Sequence, residues 1–153
     1  MSMAVDYQLL TAQLLEFAKA DPWFVPLLSN ASALLFEALP DVNWAGFYLT
    51  RGDGLVLGPF QGKTACIHIA RGRGVCGAAM EQDRVLRVPD VHAFPGHIAC
   101  DSASNSEIVL PLHSGGAVAG VLDIDSPVPD RFDAADEAGL TAFARALEGV
   151  VRF

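Results

Sequence analysis

The sequence predicts an α+β domain in which helices at both ends flank a mainly antiparallel sheet of about six strands. Apolar residues recur at helical spacing near both termini, whereas the middle of the chain carries short β-prone runs. Turn signals separate these runs at 51–54 and at 114–116, and such turns join antiparallel neighbours. Because 153 residues with 52% hydrophobic content suit one compact core, we assign residues 1–153 to a single domain.

Three flanking helices are predicted from the helical periodicity, at 6–20, 26–39 and 133–152. The first ends before Pro22, because the residue before a proline avoids the α region, and Pro40 follows the second. In the last helix Leu140, Phe143 and Leu147 lie on one stripe. That stripe predicts a helix packed against the core.

The predicted strands cover 43–50, 55–58, 65–70, 85–88, 107–112 and 118–125. A short helix is predicted from Val75 to about Gln82, directly after a glycine-rich step at 72–74. The polar segment from Pro89 to Ser106 is predicted to be a loop. Loops of this length inside a compact domain are usually functional or disordered.

The charge balance excludes two classes of partner. The formal net charge is −8, and the ten basic residues are scattered, with Arg71 and Arg73 as the closest pair. Nucleic-acid binding needs a basic patch, so we expect no nucleic-acid partner. The same charge disfavours an anionic membrane surface, and no stretch approaches 18 uninterrupted apolar residues. No secretory signal is visible at the start, so we expect a cytoplasmic protein.

The three cysteines, Cys66, Cys76 and Cys100, are an odd number that disfavours a permanent disulfide framework. They form no C-x-x-C motif, and a cysteine is often only a small buried apolar residue. Cys100 departs most from that interpretation, because it lies in a polar loop where His97 could help to hold a thiolate. Cys66, at a strand edge, is a candidate partner. Cys76 opens the short helix, where unpaired backbone N–H groups would lower a thiol pKa.

Acidic residues near strand ends form a second group of candidates. Asp123 and Asp125 are two apart on a predicted strand, so both lie on one face, while Leu122 and Ile124 face the core. Glu107 likewise precedes an apolar run. Such acids are often simply solvated. If they are crowded together, however, their pKa values are forced apart, and one carboxyl group can stay protonated and donate.

Two aromatic residues lie on one face of the first strand. Trp44 and Tyr48, separated by Gly46, could form the wall of a small apolar pocket or belong to ordinary core packing. The step at 72–74 resembles part of a phosphate loop, but no nucleotide-binding fingerprint follows it. The histidines and cysteines lack the paired short spacing of the ligands in a structural zinc site, so no metal site is predicted.

Seven segments together carry a family resemblance: NASALL (30–35), NWAGFY (43–48), LGPFQGK (57–63), GRGVCG (72–77), GHIACD (96–101), SNSEIVLP (104–111) and GVLDIDS (120–126). The chain resembles the free methionine-R-sulfoxide reductase family, a group of stand-alone GAF domains. The resemblance is strong over about residues 30–126 and weak in the flanking helices. It is specific because three cysteines and both acidic motifs occur together, whereas a GAF scaffold alone mostly hosts ligand sensors.

The resemblance implies a single GAF domain and a role for each candidate residue. Cys100 would be the attacking thiol, Cys66 its main resolving partner and Cys76 an auxiliary or alternative thiol. The substrate-handling acids would be Glu107, Asp123 and Asp125. The pocket aromatics would be Trp44 and Tyr48.

The implied activity is the reduction of free L-methionine (R)-S-oxide to L-methionine, which counters oxidative stress. A thiolate attacks the sulfoxide, a carboxylic acid supplies a proton to the oxygen, and the resulting sulfenic acid condenses to a disulfide. We assign the proton to Asp125 or Glu107. Thioredoxin would restore the thiols as an external reductant, and no bound cofactor is expected. A homodimer stays open, since GAF domains often pair through their terminal helices.

Two other functions remain open to the sequence. A GAF domain without enzymatic activity could sense a small ligand or a redox state, with the cysteines serving as packing or as reporters. A zinc-binding structural domain is the second alternative, which metal analysis of the purified protein would test.

Overall fold

The computed structural model describes residues 4–97 and 103–153. That part of the chain contains four α-helices and one six-stranded sheet, so the α+β prediction is confirmed. The helices are α1 (Tyr7–Ala20), α2 (Phe24–Ala38), α3 (Gly74–Gln82) and α4 (Ala134–Glu148). The strands are β1 (Trp44–Arg51), β2 (Gly54–Gly62), β3 (His68–Ala70), β4 (Leu86–Val88), β5 (Ser106–Ser114) and β6 (Ala117–Ser126).

The sheet has the strand order β3-β2-β1-β6-β5-β4, and every neighbouring pair is antiparallel. The predicted turns at 51–54 and 114–116 close the β1–β2 and β5–β6 hairpins, with Gly52 and Gly115 at positive φ. β1 and β6 are far apart in the sequence, and their pairing joins the two hairpins into one sheet.

Different layers cover the two faces of the sheet. One face packs against α1, α2 and α4 in a core that includes the fully buried residues Phe47, Leu122 and Phe143. The opposite face meets α3, and its apolar residues include Tyr48 and Val121. Because successive strand residues point to opposite faces, β1 and β6 supply apolar side chains to both layers.

The third strand is shorter than the sequence predicted. We expected a strand over 65–70, but β3 spans only His68–Ala70, and Cys66 lies before it rather than in it. The carbonyl oxygen of Cys66 accepts a hydrogen bond of 3.0 Å from the hydroxyl group of Tyr48. Because that carbonyl bonds a side chain on the neighbouring face, the backbone leaves the edge of the sheet there.

Two helix boundaries also differ from the prediction. α4 ends at Glu148 rather than at residue 152, because Arg152 pairs with the segment between α1 and α2 through hydrogen bonds to Pro22 and Phe24. α2 begins two residues before Pro26, and proline is tolerated there because the first N–H groups of a helix have no partner within the helix. Among the described helices, none is both long and apolar enough to cross a membrane.

One ionic cluster joins three elements of the fold. His113 on β5 contacts Asp83 at the end of α3 (Nε2–Oδ1, 2.6 Å) and Glu148 on α4 (Nδ1–Oε2, 3.0 Å). The hydrogen bond to Asp83 raises the pKa of His113, and that to Glu148 adds to it, although partial burial opposes them. The guanidinium of Arg145 lies 3.3 Å from Nδ1 and also opposes protonation of the ring.

We predict that His113→Gln lowers the free energy of unfolding by roughly 0.5–1 kcal/mol at pH 6, as for partly exposed ion pairs, and by less at pH 9. The folded pKa is raised, so the stabilisation is fully present below the unfolded pKa of about 6.5 and is lost as pH rises through the folded pKa. Urea unfolding at both pH values measures the difference. His68→Gln removes an exposed histidine as the control, and an equal loss at both pH values for His113→Gln would contradict the prediction.

Candidate active site

The register of three adjacent strands gathers the predicted site residues on the face that meets α3. Trp44 of β1 lies opposite Asp125 of β6, and Asp125 in turn lies opposite Glu107 of β5. Asp123, two residues before Asp125, points to the same face. These side chains and Cys76 of α3 line a cavity of about 60 Å³. Within the described residues, the structure therefore brings these candidates together in one pocket.

The carboxyl groups of Glu107 and Asp123 are buried, with 8% and 5% of each residue exposed. Burial raises the pKa of both groups well above the ordinary range. The negative charge of Asp123 raises the pKa of Glu107 further, and that of Asp125 does the same for Asp123. The acids are therefore not solvated strand ends, and both burial and the neighbouring negative charges favour the protonated form of Glu107 and Asp123.

The two aromatic residues form a stack at the pocket wall. The ring of Trp44 lies between Tyr48 (centroids 5.8 Å apart) and Phe60 (5.2 Å). Its indole N–H donates a hydrogen bond of 3.1 Å to the carbonyl oxygen of Lys63. Gly46 makes this stack possible, because a Cβ atom there would overlap Phe60. Trp44 and Tyr48 thus line the pocket and are also buried, so both sequence interpretations hold.

Cys76 is a buried free thiol rather than an activated one. The sequence predicted that the start of α3 would lower its pKa, and this prediction was wrong. Burial raises the pKa of Cys76 well above its ordinary value, and the negative charges of Asp123 and Glu107 raise it further. The thiol contacts a carboxyl oxygen of Glu107 at 3.8 Å. Desolvation and the nearby carboxyl groups therefore raise the pKa of Cys76 by more than the N-terminal end of α3 lowers it.

The structure describes Cys66 but not Cys100. Cys66 is half-buried beside the pocket and takes part in a disulfide bond. Cys100, the predicted attacking thiol, lies outside the described residues. His97, predicted to help hold its thiolate, lines the pocket, but burial lowers its pKa and the neighbouring His92 lowers it further. The His97 ring is therefore neutral at neutral pH and offers a hydrogen bond rather than a charge.

The structure adds polar pocket residues that the sequence analysis did not select. Arg73, the exposed N-cap residue of α3, lines the pocket, and Ser104 lines it from the segment before β5. The Ser104 hydroxyl group accepts a hydrogen bond of 3.4 Å from the side-chain amide of Asn43. In the sequence, the only signal for Arg73 is its position between two glycines at 72–74, a pattern that by itself resembles part of a phosphate loop.

The chain thus forms a single α+β domain, in which a six-stranded antiparallel sheet carries helices on both faces and a pocket on the face that meets α3. The sequence profile of the GAF domain family matches residues 8–151. The chain belongs to the GAF domain family and, within it, to the free methionine-R-sulfoxide reductase family. The predicted resemblance is therefore confirmed.

Three relatives illustrate the match. The chain is 59% identical over 128 residues to an Escherichia coli protein named free methionine-R-sulfoxide reductase, covering 84% of this chain and 78% of that protein. A Saccharomyces cerevisiae protein of the same name is 47% identical over 128 residues, covering 78% and 71%. A structure of Staphylococcus aureus fRMsr in complex with substrate superimposes with a TM-score of 0.93 at 44% identity, covering 99% of each chain.

We predict that Asp123→Asn raises the free energy of unfolding at pH 8. The folded pKa of Asp123 is raised, so the wild-type protein loses stability as pH rises from the unfolded pKa of about 3.9 toward the folded pKa. The neutral amide carries no such cost, so the gain shrinks on acidification to pH 5. Urea unfolding of both proteins measures it, with the exposed Asp53→Asn as a control. A gain that is absent at pH 8, or equal at pH 5, would count against the buried-acid account.

Proposed function

We propose that this protein is an oxidoreductase that reduces free L-methionine (R)-S-oxide to L-methionine with a disulfide as the oxidised product. The supporting observation is the cluster of carboxyl groups from Glu107, Asp123 and Asp125, which lines one pocket together with Thr64 and Ala65, the residues just before Cys66. The chemistry needs an acid that carries a proton and a thiol that cycles. Relatives with 59% and 47% identity bear the name of this activity.

The proposed cycle has three steps. The thiolate of Cys100 attacks the substrate sulfur, and the oxygen passes to the cysteine sulfur as a sulfenic acid while methionine leaves. The thiol of Cys66 then displaces the hydroxyl group as water and forms a disulfide with Cys100. Thioredoxin, as the external dithiol, reduces that disulfide by exchange, in a cytoplasmic setting that keeps such bonds transient.

Glu107 is the better placed of the two candidate acids for the first step. Its carboxyl group is buried, and burial raises its pKa well above the ordinary value, which favours the protonated form. Proton transfer to the sulfoxide oxygen makes the sulfur more electrophilic as the S–O bond breaks. The carboxyl groups of Asp123 and Asp125 then pair with the ammonium group of the free amino acid, whose positive charge favours their ionised form.

The remaining groups of the substrate match the other walls of the pocket. The stacked rings of Trp44 and Tyr48 form an apolar surface for the methyl and thioether atoms. Arg73 lines the same pocket, and its guanidinium group is the candidate partner of the α-carboxylate group. A site that recognises both free α-groups would reject methionine inside a peptide chain, where those groups are amides.

Cys76 is an auxiliary thiol in this proposal. Its burial and its raised pKa leave little thiolate at neutral pH, so it attacks a sulfenic acid slowly. Cys66 is half-buried rather than buried, and its carbonyl oxygen accepts a hydrogen bond from the Tyr48 hydroxyl group at the pocket wall, which favours it as the resolving thiol. The sensor function is not favoured, because it needs neither a redox-active Cys66 nor a cluster of buried acids.

We predict that Cys100→Ser abolishes methionine formation, whereas Cys66→Ser releases about one methionine per protein molecule and then stalls or slows sharply. The reason is that Cys100 forms the only sulfenic acid, while Cys66 only resolves it. Chromatographic quantification of methionine from pre-reduced protein gives the first turnover, and thioredoxin-coupled NADPH oxidation gives the steady state. Repeated turnover by Cys100→Ser would refute the assignment, as would undiminished cycling without both Cys66 and Cys76.

We predict that Glu107→Gln lowers kcat by roughly 100-fold or more, because a positioned general acid contributes that much and an amide cannot replace its proton. The thioredoxin-coupled assay measures kcat, and the exposed Glu81→Gln serves as a matched control. Urea unfolding checks that the variant is folded. A kcat within a few-fold of wild type would remove Glu107 from the proton transfer and leave Asp125 as the candidate.

A further inference from the structure

The pocket brings together a thiol and two carboxyl groups from three separate elements. The sulfur of Cys76 on α3 and one oxygen each from Glu107 on β5 and Asp123 on β6 all lie within 4.8 Å of one another. All three residues are buried, with 5%, 8% and 5% of their surface exposed. Cys76 is a free thiol, so its sulfur is available as a ligand.

The spacing of these atoms fits a small tetrahedral ion. Zinc binds cysteine sulfur at about 2.3 Å and carboxylate oxygen at about 2.0–2.2 Å, and tetrahedral angles then separate sulfur from oxygen by about 3.6 Å. The distance between Cys76 Sγ and Glu107 Oε2 is 3.8 Å. The protein therefore needs only small side-chain movements to close three ligands around one ion.

A second observation also points to a cation at this place. Asp123 Oδ1 is buried and has no hydrogen-bond partner within residues 4–97 and 103–153. Buried polar atoms are nearly always satisfied, so an orphaned carboxyl oxygen in a pocket requires an explanation. A bound cation would supply the missing partner, and its charge would favour the deprotonated form of the three ligands.

We propose that a zinc-class divalent ion binds Cys76, Glu107 and Asp123 and thereby excludes the sulfoxide substrate. A fourth position stays open to water, since three described side chains supply three ligands. Binding itself does not depend on the proposed reductase function. The inhibition rests on that function, because Glu107 and Asp123 would serve either the ion or the substrate.

Cobalt(II) absorption tests the binding without any activity measurement. In the Cys66→Ser/Cys100→Ser protein, Cys76 is the remaining thiol, and we expect one equivalent of Co²⁺ to give a thiolate-to-cobalt charge-transfer band that Zn²⁺ abolishes. Adding Cys76→Ala should remove the band, and Asp123→Asn should weaken Co²⁺ binding at least tenfold. Asp53→Asn, which changes an exposed carboxylate, should leave it unchanged. Circular dichroism checks that each variant is folded.

A missing band in the Cys76-only protein, or a band that survives Cys76→Ala, would overturn the metal site. Exclusion of substrate is tested by methionine release in a single turnover of pre-reduced wild-type protein, without thioredoxin. We expect Zn²⁺ to slow release, excess sulfoxide to relieve the effect, and Cys76→Ala to lose most of the zinc sensitivity. If the band forms but release is unaffected by Zn²⁺, the exclusion is refuted. If no methionine is released even without Zn²⁺, the reductase proposal fails while the band still decides the metal site.

Discussion

The pairing of β1 with β6 in one register is the constraint on which the site depends. It places Trp44 opposite Asp125, and the β5–β6 hairpin then places Asp125 opposite Glu107. A shift of one residue in β6 would turn Asp123 and Asp125 toward the helical core and bring Leu122 to the pocket. Leu122 and Ile124 of β6 therefore hold the acids on the correct face, because a shift of one residue would bury charge among α2 and α4.

The carboxyl cluster is costly to bury, and the fold accommodates it on one face while the other face is almost entirely apolar. Burial raises the pKa of Glu107 and Asp123 because water cannot solvate their charge, and each negative charge nearby raises the pKa further. The core around Phe47 and Phe143 supplies the compensating stability from across the sheet. The apolar core on one face of the sheet therefore compensates for the acids that are buried on the other face.

The aromatic stack connects the pocket to its redox segment. Trp44 and Tyr48 donate hydrogen bonds to the carbonyl groups of Lys63 and Cys66, so the segment before β3 follows the rings rather than the sheet edge. The same contacts shorten β3 relative to the sequence prediction. The segment at 65–67, which the alternation of residues wrongly predicted to be part of the strand, is therefore the segment that holds Cys66 beside the pocket.

The surroundings of each thiol and imidazole were beyond sequence reasoning. The pKa of Cys76 depends on acids that come from β5 and β6, and the neutral state of His97 depends on its burial and on His92. The helix end beside Cys76 is visible in the sequence, but the larger opposing effects are long-range and become visible only in the folded chain. Arg152 is a similar case, because its partner Pro22 is more than one hundred residues away.

Local patterns by themselves determined the helices, the two hairpins and the face of each strand residue, because these follow from spacing and turn chemistry along the chain. They determined that Asp123 and Asp125 share a face and that Trp44 and Tyr48 do so. The tertiary structure alone decided that these two faces coincide, through the β1–β6 pairing. It alone decided the protonation of the buried acids and of Cys76, because desolvation and charge interactions depend on neighbours in space rather than in sequence.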